Sequence, residues 1–232
     1  MCGRFVQKGP GTLAKKLGVE APPGLFPRYN VAPSQDVMIV RSDGASRHVA
    51  LVRWGLIPGW TADPKQSMAP INARSETADA KPTFRDALRK RRCIVPAEGF
   101  YEWKRDGVRR QPYFVRRADR EPLYMAGIWE SWRSPDDGRE FETTAILTTS
   151  ANELLRDLHD RMPVILHPAG VDLWLDESVT NSTSLMPLYT PFPADELVVE
   201  PVSERVNSVK YDDPKCLEVV TTPAKTGSLF DD

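Results

Sequence analysis

Cysteine is scarce in this chain: three among 232 residues, with no Cys-x-x-Cys pair, which argues against a disulfide framework or a cysteine-built zinc site. A reducing interior compartment is the expected home. Long apolar runs are missing too. None approaches the ~20 residues that a membrane-crossing helix needs, and the opening residues lack the charged-then-apolar pattern of a secretory leader. A cytoplasmic protein is therefore expected, with no membrane partner, no metal and no cofactor. There is little net charge, −1, but it is unevenly spread: residues 1–80 carry +4, residues 81–120 carry +8, and residues 121–232 carry −13. A basic N-terminal half beside an acidic C-terminal half fits a polyanion on one face, and equally fits two halves that pair with each other.

What the chain does have is an ordinary globular composition, 41% hydrophobic and 27% charged, and 21 prolines that break it into short elements. Runs rich in Val, Ile, Tyr, Phe and Trp predict strands at Val37–Arg41, His48–Ile57, Cys93–Trp103, Pro112–Arg117, Leu123–Trp132, Phe141–Thr149, Pro163–His167 and Leu197–Val202. Lys104-Arg105-Asp106-Gly107 reads as a hairpin turn. Short helices are predicted over Thr12–Leu17, Thr83–Arg92 and Ala169–Asp176, and a capping box at Ser150–Glu153 predicts another over Glu153–Leu158. The expected fold is α+β: a strand-rich, barrel-like mixed sheet core with a few short peripheral helices. One domain should span residues 1–232, its core over about 2–210 and residues 212–232 forming an acidic C-terminal tail.

The residue that stands out is Cys2, directly after Met1. Its small side chain lets a preceding methionine be removed, leaving an α-amine and a thiol on adjacent carbons. An α-amine titrates near pH ~8 and a thiol near ~8.5, so both are partly nucleophilic at neutral pH. Such a pair can transfer an acyl group, or capture an aldehyde as an imine and close a five-membered thiazolidine. Alternatively, position 2 is an ordinary residue on a frayed end.

Four further stretches carry polar residues that packing alone does not explain. They are Arg28–Pro33, Pro70–Glu76, Glu98–Lys104 and Leu158–Pro163. Asn72, Arg74 and Glu76 sit two apart and share a side if extended. Glu102 lies in an apolar strand, where its carboxyl pKa would rise and allow proton transfer near pH 7. His159 ends the predicted capped helix. Each has a plainer reading: Asn72 as a turn former, Glu102 on an edge facing water, His159 as a helix-end charge partner, Arg74 and Arg161 as surface residues, and Trp54 and Trp60 as core.

Taken together the motifs MCGRF, RYNVAP, WGLIPGW, INARSET, GFYEWK, QPYF and LHDRMP, in this order from Cys2 to about Lys210, closely resemble the SOS response-associated peptidase family. The resemblance implies a shield for abasic sites in single-stranded DNA that links itself covalently to the lesion, in a bacterial, nucleoid-associated setting. It implies Cys2 as nucleophile, Asn72 as orienting group, Glu102 as general acid/base and His159 as a second acid/base. Arg4, Arg74 and Arg161 would hold phosphates, Thr148 would touch the strand, and Trp60 with Asn30 and Pro33 would lie along it. Some members carry a second aromatic after the Gly-Trp pair, where this chain has Thr61. The peptidase of the family name would be removal of Met1 by the protein itself, and a monomer is expected. Two rivals remain: an N-terminal-nucleophile amidohydrolase like the class II glutamine amidotransferases, which also open Met-Cys-Gly but whose Asn-Gly loop is not found here, and a passive single-strand binding module with Cys2 inert.

Overall fold

The computed structural model describes residues 2–64, 67–106, 109–134 and 136–221. Its centre is a closed ring of five strands: β3 (Asp36–Ser42), β4 (Arg47–Trp54), β6 (Arg92–Ala97), β9 (Leu123–Arg133) and β10 (Glu140–Ser150). Antiparallel pairings run β4–β3–β6–β9–β10, and a parallel pairing of β10 with β4 closes the circle, so the barrel is mixed. Three short strands extend it. β5 (Asn72–Arg74) lies parallel to β10, β11 (Arg161–Pro163) antiparallel to it, and β12 (Ile165–Leu166) antiparallel to β9. A second, antiparallel sheet runs β13 (Leu197–Pro201), β8 (Arg109–Arg117), β7 (Gly99–Asp106), β1 (Phe5–Gln7) and β2 (Arg28–Val31). The fold is α+β and strand-rich, with a barrel core, as expected.

Alternation explains why the ring strands read as continuous apolar runs. Cys93 and Val95 enter one core with Cys2, Phe5 and Trp54, whereas Ile94 between them enters another with Phe84, Leu88 and Trp174. Those last three come from α2 (Pro82–Lys90) and α3 (Pro168–Leu175), which cover the outer face. Both helices, and α1 (Pro10–Lys16), begin with proline, whose missing N–H costs nothing at a first helical position.

Several predicted elements are redrawn. Cys93–Trp103 is two strands in two sheets, divided at Glu98 and Gly99. The Glu98 carboxylate accepts from the amides of Lys8 and Gly9 at 2.9 and 2.8 Å. A Cβ on Gly99 would stand 2.4 Å from both Phe114 and the Val115 carbonyl, so only glycine lets the chain cross here. The strand from His48 stops at Trp54 because Gly55 adopts φ +133°. Pro163–His167 divides between β11 and β12.

The capping-box helix does not form. Ser150 is spent as the last residue of β10, and Asn152 Oδ1 accepts instead from Leu155 N at 3.0 Å, so 153–158 is a run of turns. Lys104, Arg105 and Asp106, expected in a hairpin turn, are instead the last residues of β7, paired with Gln111, Arg110 and Arg109 of β8, and Gly107 lies outside the described residues. At the other end, residues 212–221 pack rather than trail. Asp212 accepts from Arg28 Nε and from the amides of Tyr29 and Asn30 (2.5 and 2.8 Å), Cys216 is buried, and Val219 bridges to Val202.

Basic and acidic halves do meet. Arg28 pairs with Asp212, Arg41 with Glu142, and Arg116 with Glu200. Part of the charge asymmetry is therefore internal. No helix among the described residues is long and apolar enough to cross a membrane.

Candidate functional site

Cys2 is held where the two sheets meet. Phe5 pairs with Phe100 in β7, and Arg4 O accepts from Tyr101 N at 2.9 Å. Carried two residues toward the terminus, the same register sets Gly3 opposite Glu102. Phe5 meets Trp54 edge-on at 4.9 Å, and Trp54 Nε1 donates to Ile71 O at 2.9 Å, which fixes the backbone next to Asn72. Asn72 Nδ2 in turn donates to Cys2 O at 2.9 Å. Cys2 is fully buried, not frayed.

Burial, with the nearby Glu102 carboxylate adding to it, pushes the Cys2 thiol far above its ordinary range. Glu102, 3% exposed, is itself raised, mainly by burial and further by Asp160, while the amino terminus opposes the rise. His159 is lowered, first by desolvation and then by the positive charges of the amino terminus and Arg161, with Asp160 opposing. Both shifts favour the uncharged forms, a carboxyl that can give a proton and an imidazole that can take one, the two roles general acid–base work requires. Asn72 Oδ1 is buried with no hydrogen-bond partner among the described residues, an acceptor awaiting a donor. The four residues expected to carry chemistry, Cys2, Asn72, Glu102 and His159, are brought together. They come from the chain start, β5, β7 and the turn before β11.

The residues expected to hold DNA divide in two. Arg74, Pro33 and Trp60 are exposed, Trp60 to 68%. Pro33 lines a cleft of about 1170 Å³ with Arg53, Trp132 and Phe141. Trp60 lines a neighbouring depression of about 750 Å³ with Lys81 and Phe84, and the two share Met68 and Pro70. Asn30, Arg4, Thr148 and Arg161 face inward. Asn30 is wholly buried, accepts from Arg4 at 2.8 Å and donates to Tyr211 O at 2.7 Å, while Arg4 also donates to Val206 O at 2.9 Å. Arg161 grips Glu76 with two bonds of 2.5 and 2.7 Å and donates to Thr148 O at 2.6 Å. Contact of Arg4 or Arg161 with phosphate would require exchange of these partners.

Glu76, noted in the sequence only as sharing a side with Asn72 and Arg74, and Asp160 were given no role there. Both sit inside quoted motifs, and only their spatial partners mark them. Glu76 reaches over β10 from the turn after β5, and Asp160 lies 2.7 Å from His159 Nδ1.

Residues 1–209 match the family model described as SOS response associated peptidase. The chain is 40% identical over 223 residues to abasic site processing protein YoqW of Bacillus subtilis, spanning 94% of this chain and 99% of that one. It is 33% identical over 228 residues to abasic site processing protein YedK of Escherichia coli, spanning 95% and 100%. A protein from Bacteroides thetaiotaomicron known by its crystal structure superposes with a TM-score of 0.85 at 28% identity, over 95% of this chain and all of that one. The chain belongs to the SOS response associated peptidase family.

Proposed function

We propose that this protein senses abasic sites in single-stranded DNA and shields them as a covalent thiazolidine through Cys2, after removing its own Met1. The observation that supports this reading is the convergence of Asn72, Glu102 and His159 on a buried Cys2. Hydrolysis of the Met1–Cys2 bond consumes one water and leaves a free amine on Cys2. Asn72 holds the Cys2 carbonyl and offers Oδ1 to the new amine. Glu102, its carboxyl raised by burial, gives its proton to the ring oxygen of the abasic sugar as the C1–O bond breaks, and takes back the proton of the anomeric hydroxyl, so that the sugar opens to the aldehyde. As the amine adds to the aldehyde carbon, one of its protons passes through water to the carbonyl oxygen and gives the carbinolamine hydroxyl. His159 takes the second proton from nitrogen and gives it to that hydroxyl, which leaves as water from the neutral imine. The thiol is held neutral by burial, so nitrogen attacks first. Sulfur then adds across the imine, its proton passing to nitrogen, and closes the ring. Arg74, Pro33 and Trp60 provide the exposed surface along which a splayed strand would lie.

The test is a denaturing gel after mixing the protein with a single-stranded abasic oligonucleotide. A heat-stable shifted band is expected, absent with Cys2→Ala and with an intact oligonucleotide. A band that survives in Cys2→Ala would contradict the proposal.

A further inference from the structure

His159 Nδ1 has two neighbours that want opposite things. The Arg161 amide donates to it at 3.0 Å, which requires a bare nitrogen. Asp160 Oδ1 lies 2.7 Å away, and a carboxylate there requires that the nitrogen carry a proton. Whichever neighbour engages decides the state of the other ring nitrogen. With the amide engaged, neutral imidazole carries its proton on Nε2 and can only give it. With Asp160 engaged, Nε2 is bare and can accept.

We propose that Asp160 is a positioning residue that selects the base form of His159 and holds the imidazolium once it forms. The inference rests on the function proposed above, where His159 first takes a proton from the Cys2 amine and then releases it to the hydroxyl that departs as water. In the first step Nδ1–H faces Asp160 and Nε2 accepts. The resulting imidazolium keeps its Nδ1–H on the carboxylate, and Nε2–H supplies the proton that leaves. Turning back to the Arg161 amide is the resting state. An aspartate that orients the far nitrogen of a catalytic histidine and steadies its cation is a known chemical solution.

Other charges face the same space. The amino terminus and Arg161 both disfavour the imidazolium, Arg161 is itself paired with Glu76, and Glu102 lies across from the terminus on β7. Asp160 is the acidic group acting on both His159 and Glu102, and it raises both. Its loss therefore moves both limbs of a pH–rate profile toward acid. A change that merely loosened the turn would lower the rate at every pH and leave the limbs in place.

The experiment uses Asp160→Asn, Asp160→Glu and, as a control on the same turn, Asp157→Asn. Crosslinking to a single-stranded abasic oligonucleotide is followed against pH, and side-chain ¹⁵N shifts of His159 are titrated in the DNA-free protein. Expected for Asp160→Asn is a rate at neutral pH lower by roughly 10- to 100-fold, both limbs displaced acidward, and a His159 midpoint lower by about one pH unit with the proton on Nε2. Asp160→Glu should recover part of each, and Asp157→Asn should match the wild type. An unchanged midpoint and profile in Asp160→Asn would overturn the inference while crosslinking itself stands. Absence of crosslinking in the wild type would remove the functional reading, and the inferred role with it.

Discussion

At the scale of single residues, Glu102 carries an energetic conflict. Burial raises its carboxyl above the value of an unfolded chain, so as pH rises the unfolded state gives up that proton first. Stability therefore declines with pH through the window between the ordinary carboxylate value and the raised folded one. Glu102→Gln removes that decline. Thermal melts should show the variant gaining on the wild type at pH 8 and not at pH 4, while crosslinking slows about 100-fold. A variant with wild-type rate would deprive Glu102 of its role as the acid. Asn72→Ala should also slow the reaction, by roughly 10- to 100-fold in single-turnover rate, because the Cys2 carbonyl loses its 2.9 Å anchor. Cys2, Asn72 and Glu102 were all legible as letters in short motifs. The buried state of Cys2 was not, because burial of a chain start depends on a register with β7 that no local pattern records.

Among the elements, β10 organises the site. Asn72 and Arg74 are set by pairing with Ile146 and Thr148, and Arg161 by pairing with Ser150. Trp54 secures the junction from the barrel side, wholly buried and bonded to Ile71 O. Trp54→Ala should cost about 3–5 kcal/mol in denaturant unfolding, and should release both β1 and the segment leading to Asn72. Asp212 does similar work on β2, and Asp212→Ala should cost about 1–3 kcal/mol, since two backbone amides and Arg28 lose their acceptor. Chains ending at 211 should melt well below chains ending at 221, because Asp212, Cys216 and Val219 all make contacts with the fold. Long apolar strands such as β9 and the proline-started helices were readable from pattern. The three-residue strands β1, β5 and β11 were not, since so short a run has no period, and the acidic letters after 211 looked like a tail only because their partners lie far upstream in β2.

For the molecule as a whole, bonds within the fold divide the three arginines expected to hold phosphate. Arg74 is exposed, whereas Arg4 and Arg161 are committed within the protein. Arg74→Ala should weaken binding to a single strand and flatten the salt dependence of log K by about 0.7, the contribution of one phosphate contact. Arg161→Ala should instead lower stability, because the half-exposed Glu76 and the buried Thr148 carbonyl lose their partner. Fluorescence anisotropy across a salt series, beside melts of the same variants, separates the two behaviours. The overall charge asymmetry, visible in the sequence, pointed toward a polyanion, and the ion pairs across the fold show how much of it is spent internally.

Intact-mass spectrometry of the purified protein, alone and after mixing with a single-stranded abasic oligonucleotide, bears most directly on the claim that a freed Cys2 captures the lesion. The account predicts a free protein lighter than its full sequence by one methionine, and an adduct equal to that mass plus the oligonucleotide less one water. A competent protein that still carries Met1, or a stable adduct of Cys2→Ala at that variant's own mass plus the oligonucleotide less one water, would contradict it.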